Sequence, residues 1–157
     1  MGRNSGRRLQ SSFELLITLS FGLAILMPLV VIAFAQLSSA NVSLSSIESQ
    51  QAASKLAGTA TQVASEGAPA NQVVQISVPP NVRYIYVGNI GNSVGHEIIF
   101  AVSSASGISY VTAYTPASVS GSLGGLSTAG TYLVNVTAMA ACPSNTLMPC
   151  VYMSSKV

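Results

Sequence analysis

The chain has 157 residues, of which 49% are apolar and only 6% charged, with a formal net charge of +2. That length suits one modest domain plus an additional helix, and the charged fraction is far below the roughly one quarter usual in soluble domains. Half of the basic residues, Arg3, Arg7 and Arg8, sit at the start of the chain. No basic patch remains elsewhere, which argues against a nucleic-acid partner.

The chain opens with a polar, basic stretch, MGRNSGRRL, expected to be disordered or removed. The 23 residues from Leu15 to Leu37 then carry no charge. At ~1.5 Å per residue they make a helix of roughly 35 Å, enough to cross a hydrocarbon core of about 30 Å. The three arginines before this run and the absence of acids among them keep the N-terminus in the cytoplasm and place everything after Leu37 outside. Ser11 or Ser12 can cap the helix. Pro28 removes a backbone hydrogen bond and should kink or locally melt it. Thr18, Ser20, Gly22 and Ala24 are small enough to allow close helix approach. Glu14 stands at the mouth of the apolar run, where an ionised group is costly and usually partnered. A capping role against the helix macrodipole is the simpler reading for it.

Gln10, Ser12, Glu14 and Leu16 form a Q-x-S-x-E-x-L pattern directly before the apolar run. With the basic leader, this resembles the class III signal peptide of archaeal type IV pilin-like proteins. The resemblance covers about the first quarter of the chain. It implies cutting by a prepilin peptidase on the cytoplasmic side between Leu9 and Gln10. Leu9 departs from the small residue that the family places before the cut, and a cut after Gly6 is the other option. The resemblance further implies that Gln10 becomes the new N-terminus and that Glu14 neutralises the α-amine of a neighbouring subunit. The apolar helices of many copies would then bundle into a filament core, with the assembly machinery and the membrane as earlier partners.

From Ser38 to Glu66 the chain stays compatible with a helix but turns polar. Leu37, Ala40, Leu44 and Ile47 form one stripe at helical spacing, and Ala53, Leu56, Ala60 and Val63 form another on roughly the opposite face. The first is expected to face neighbouring helices and the second the chain's own C-terminal part. A break near Gly58 or in the serine-rich patch is the alternative. Gly67, Pro69 and Asn71 should end the helix.

After Asn71 the period changes to that of strands. QVVQISV, YIYVGNI, EIIFAVSS, ISYVTAY, YLVNVTAM and CVYMSS are short runs rich in Val, Ile, Tyr and Thr, separated by Gly, Pro and Asn. They read as six or seven strands in a small β-sandwich or curled antiparallel sheet. Ser118 to Thr128 reads as a loop or weak strand. The expected fold is therefore α+β: a long N-terminal hydrophobic helix, the stalk of a lollipop, followed by a small antiparallel β-sandwich-like domain. The segments are a leader at 1–9, a helix at 10–66 whose portion 15–37 spans the membrane or fills a filament core, and an extracellular β-domain at 72–157.

Cys142 and Cys150 lie outside the cell by this topology, where disulfides persist, and one disulfide closing a small loop is expected. Two free thiols are the alternative. Without a nearby histidine, two thiols leave a zinc shell half empty. The sequons Asn41-Val42-Ser43 and Asn135-Val136-Thr137 are candidate N-glycosylation sites on the same topology, and Asn135 would have to point to solvent. No enzyme is expected, and no cofactor. The single histidine, His96, adjoins Glu97, so in a strand the two point to opposite faces, while Glu48 and Glu66 are the other acids available to a triad. Gly88 to Gly95, GNIGNSVG, lacks the lysine and following helix of a phosphate loop and reads as a hairpin turn. The six tyrosines fit a half-buried sheet, with an aromatic adhesive patch as the alternative.

The residues thus point first to a pilin-like structural subunit, made as a cytoplasmic-membrane precursor and working as a self-assembled extracellular filament. Ala33-Phe34-Ala35 offers a secretory cleavage site as a second reading, although the apolar run exceeds the usual h-region. An uncleaved single-pass anchor displaying a surface or adhesin β-domain is the third.

Overall fold

The residues from Ser5 to Glu66 form one helix, α1. The structure, a computed structural model, describes residues 5–91, 93–104, 107–144 and 146–156, with side chains from Phe13 onward. Six strands follow the helix: β1 (Asn71–Val78), β2 (Val82–Gly88), β3 (Gly95–Ser104), β4 (Gly107–Ser122), β5 (Gly130–Met139) and β6 (Cys150–Lys156). The fold is α+β, as the change of hydrophobic period predicts, and each of the six runs read as strands is one. By compactness the chain divides into two units, Met1–Asn41 and Val42–Val157.

Three local expectations are corrected. The helix begins at Ser5, upstream of Ser11 and Ser12, so neither serine marks its start. Of the leader expected to be disordered or removed, residues 5–9 are helical rather than disordered in the uncut chain, and residues 1–4 lie outside the described residues. Pro28 lies inside a continuous helix and does not melt it, and the alternative of a break near Gly58 is not taken. The helix stops at Glu66 because Gly67 adopts a positive φ of 79°, the left-handed conformation that glycine reaches without a Cβ penalty. Its N–H still reaches the Ala64 carbonyl, 3.2 Å away.

In the second unit the helix and one sheet form two layers. The strands lie in the order β1-β5-β6-β4-β3-β2. All neighbouring pairs are antiparallel except β4 and β6, which run parallel. Of the two forms that the strand spacing allowed, the curled single sheet is the one found. Chain geometry requires the curl. β1 and β2 are opposite edges of the sheet, yet only residues 79–81 join them. Four Cα steps of 3.8 Å reach about 15 Å at most. A flat six-stranded sheet would hold its edges about 24 Å apart.

The concave side is filled by the helix. Ala53, Leu56, Ala60 and Val63 are all fully buried, as the second stripe predicts. They pack in one cluster with Val74 and Ile76 of β1, Ile85 of β2, Phe100 of β3, Val134 and Val136 of β5 and Met153 of β6. Burying each such Leu, Val or Phe side chain contributes about 1.5–3 kcal/mol. The helical side of this core is mostly alanine. The stripe continues N-terminally through the buried hydroxyls of Ser45 and Ser49, so small side chains let the sheet wrap the helix closely.

β4 departs from expectation. Pro116 is among the prolines expected to separate strands, yet β4 continues through it to Ser122, and the stretch expected as a loop or weak strand is strand to Ser122 and loop from Leu123 to Thr128. The proline is tolerated because the ladder is interrupted there. Tyr114 pairs with Glu97 and the next pair is Val119 with Gly95, leaving residues 115–118 opposite His96 alone. No ladder N–H is required of Pro116 in that irregularity. Past the bend, Val119 to Ser122 switch partner and pair in parallel with Val151 to Ser154. Leu123 and Leu126 then turn inward and are buried.

Candidate functional site

The first unit presents one chemical feature, an apolar helical surface. The helix from Phe13 contains a window of mean hydropathy 2.6 with none of that window buried, long and apolar enough to cross a membrane. Leu15, Leu16, Ile17, Ile25, Leu29 and Val31, which helical spacing distributes all round the helix, each expose more than half of their surface. The Thr18 hydroxyl donates to the Glu14 and Leu15 carbonyl oxygens, each 3.0 Å away, so that hydroxyl is satisfied within the helix. The Glu14 carboxylate has no ion-pair partner among the described residues. The side chains of Leu9 and Gln10 at the expected processing site, and of Ser12, lie outside the described residues.

The second unit continues this theme on one side of α1. Leu44 and Ile47, from the first predicted stripe, are each 56% exposed, while Ser45 and Ser49 beside them are buried. Sequence reasoning missed that serines hold the inward positions; the signal was the three- and four-residue spacing of Ser49 from Ala52 and Ala53 and the four-residue spacing of Ser45 from Ser49.

Cys142 and Cys150 form the expected disulfide, with Cα atoms 5.3 Å apart. It closes the β5–β6 connection, and the Cys142 N–H also donates to the Met148 carbonyl at 3.0 Å. The two sequons differ. Asn41 is exposed on the helix. Asn135 sits in β5 between Val73 of β1 and Ser154 of β6 and is only half exposed. Its Oδ1 is buried without a hydrogen-bond partner, so the expectation that Asn135 points to solvent holds only in part.

His96 is exposed beside the β4 irregularity. Its Nδ1 lies 3.1 Å from the Ala117 carbonyl and its ring 6.1 Å from that of Tyr114. Neither hydrogen-bonding nor ring contact joins it to Glu48, Glu66 or Glu97; Glu66 instead accepts from Gln62 Nε2 at 3.4 Å. Among the described residues no group of three or more His, Cys, Asp or Glu side chains could hold a metal ion.

The segment Gly88–Gly95 is the β2–β3 connection, a hairpin as read. A side chain on either glycine would collide with the backbone of the other, which fixes both as glycine. The tyrosines divide between faces. Tyr132 packs against the helix-side core. Tyr84 and Tyr110 flank Ala101 from either side on the opposite face, and Tyr86 flanks Ile99. Ala101 and Ile99 are thereby buried on a face that the helix does not cover. The Tyr84 and Tyr86 rings stack with centroids 6.0 Å apart.

No protein-family model, no curated protein and no solved structure matches the chain.

Proposed function

We propose that this chain is a type IV pilin-like structural subunit that works by self-association through α1. The observation that carries this reading is the apolar run from Leu15 to Leu37, exposed on every side and headed by a single carboxylate, Glu14. Such a surface needs lipid or other helices around it. Processing at Leu9–Gln10 would free an amine four residues before Glu14. Lateral packing of these helices would then replace lipid neighbours with copies of the same helix. Pairing of Glu14 with the amine of an adjacent copy sets axial register, because an unpaired charge in an apolar core costs several kcal/mol. The exposed Leu44 and Ile47 extend the helix–helix surface beyond the apolar run. The hydroxyl-rich sheet domain would form the exterior, outside the cell, and N-glycosylation would fall outside the cell too, on Asn41 of the helix.

The mass of the mature N-terminus separates the readings. A start at Gln10 supports the pilin, a start at Gln36 supports secretion, and a start at Met1 supports a single-pass anchor. Glu14→Ala should leave processing intact and abolish or shorten filaments seen by electron microscopy. Filaments of normal length and number from that variant would disprove the register role.

A further inference from the structure

The second unit carries an open groove of about 500 Å³ at the start of the edge strand β2, within the roughly 300–1,000 Å³ of small-molecule sites. Arg83 and Tyr84 line it from β2, Asn81 from the turn before, Ser103 from β3, and Gly124 and Ser127 from the loop after β4. Its only aliphatic side chain is Val82, which is itself buried. Apart from the Tyr84 ring, the groove therefore offers polar groups.

A bulge builds it. Val82 pairs with Val102 and Tyr84 with Ala101, so Arg83 is an extra residue with no partner across the ladder. Strict alternation would turn one of Arg83 and Tyr84 inward. The bulge leaves both exposed, side by side. The facing wall is anchored as well. Leu123 and Leu126 are buried, and the Leu126 N–H donates to the Leu123 carbonyl at 3.0 Å, which holds the turn carrying Gly124. The Ser103 N–H donates to the Asn81 carbonyl at 2.7 Å and ties those two sides together.

The chemistry of the groove selects a ligand. Among the described residues Arg83 has no hydrogen-bond or ion-pair partner, and no acid lines the groove. The side chains of Asn81, Ser103 and Ser127 are likewise unpartnered among the described residues. A guanidinium meets a carboxylate through paired hydrogen bonds. A phosphate monoester, with a charge of about −2, calls for a second cation that this groove lacks. The neutral amide and hydroxyls around Arg83 suit ligand hydroxyls. Tyr84, its ring stacked on Tyr86 with centroids 6.0 Å apart, offers a fixed apolar surface for one side of a sugar ring.

We propose that this groove binds a carboxylate-bearing sugar. The carboxylate sits on Arg83, the sugar hydroxyls on Asn81, Ser103 and Ser127, and the ring against Tyr84. The site lies wholly in the second unit and requires neither processing of the chain nor self-association.

The test titrates trigalacturonate into the full-length chain in detergent and follows the heat by calorimetry, with maltotriose and inorganic phosphate as comparisons. Arg3, Arg7 and Arg8 also attract acidic sugars, so the readout is the difference between the unsubstituted chain and groove variants. Trigalacturonate should bind at least roughly tenfold more tightly than maltotriose or phosphate. Arg83→Gln should weaken it by roughly tenfold or more, the loss of a charged hydrogen-bond pair. Arg83→Lys should fall between, because an ammonium keeps the charge but not the paired geometry. Gly124→Trp, at a position surrounded by open space, should fill the groove and remove the same share of binding. Unchanged melting temperatures show that the variants are folded. Unaltered affinity in Arg83→Gln, maltotriose or phosphate binding as tightly as trigalacturonate, or no heat from trigalacturonate at millimolar concentration would each overturn the proposal. None of these results touches the filament reading, which electron microscopy decides separately.

Discussion

Lys55 Nζ donates a hydrogen bond to the Gln75 carbonyl oxygen, 2.8 Å away, joining α1 to the edge strand β1. The acceptor lies on a strand with a neighbour on one side only, so the lysine satisfies a group that the sheet leaves open. A cation on a sheet edge also discourages pairing with another chain. Lys55→Met should cost about 0.5–1.5 kcal/mol, the usual net value of such a bond. Denaturation of the full chain in detergent measures it, and an unchanged midpoint would show that the bond contributes nothing.

Opposite sides of α1 should respond differently to the same truncation. Leu56 is fully buried in the core, whereas Leu44 is 56% exposed. Leu56→Ala should destabilise the sheet domain by about 2–5 kcal/mol. Leu44→Ala should leave subunit stability within about 0.5 kcal/mol, as expected of a surface site, yet shorten filaments if that side meets other helices. Equal destabilisation by the two changes would contradict the burial difference.

Gly121 is held by its neighbour rather than by its own conformation. A Cβ there would collide with the Met153 carbonyl oxygen of β6, the parallel partner of this part of β4. Gly121→Ala should therefore separate the only parallel pairing in the described sheet. A loss of about 3 kcal/mol or more is expected, because relief requires backbone movement. Gly124→Ala is the control, since open space surrounds that position. Circular dichroism melts of the two variants give the comparison.

The two sequons should not be used equally. Asn41 is exposed on a helix, whereas Asn135 is half-buried, its carbonyl oxygen shielded, with strands on both sides. A sugar on Asn135 would need that side chain drawn out of the sheet surface. Glycopeptide mass spectrometry of the mature protein should find any N-linked glycan on Asn41 and none on Asn135. Full occupancy at Asn135 would show that modification precedes sheet formation.

Much of this architecture was legible in the chain itself, because hydrophobic periodicity is a local property. The charge-free run, the stripe of Ala53, Leu56, Ala60 and Val63, and the six alternating strand segments each follow from residues close together in sequence. The disulfide was legible too, since Cys142 and Cys150 are the only cysteines. The candidate surface was half legible: the apolar run and Leu44 with Ile47 were marked, while the inward serines Ser45 and Ser49 between them and the core were not. A serine's inward placement is decided by the strands that cover it, which lie far away in the chain.

The amino-acid order alone therefore determined where helix gives way to strand, which helical side seeks a core, and where charge is withheld. Only the tertiary structure decided the insertion of β6 between β5 and β4, the curl that brings β1 near β2, and the passage of β4 through Pro116. Each of these depends on partners distant in sequence. A proline is permitted where the ladder is already interrupted, a sheet must curl when three residues join its two edges, and serine is carried inward when it falls on the helical side that the sheet covers.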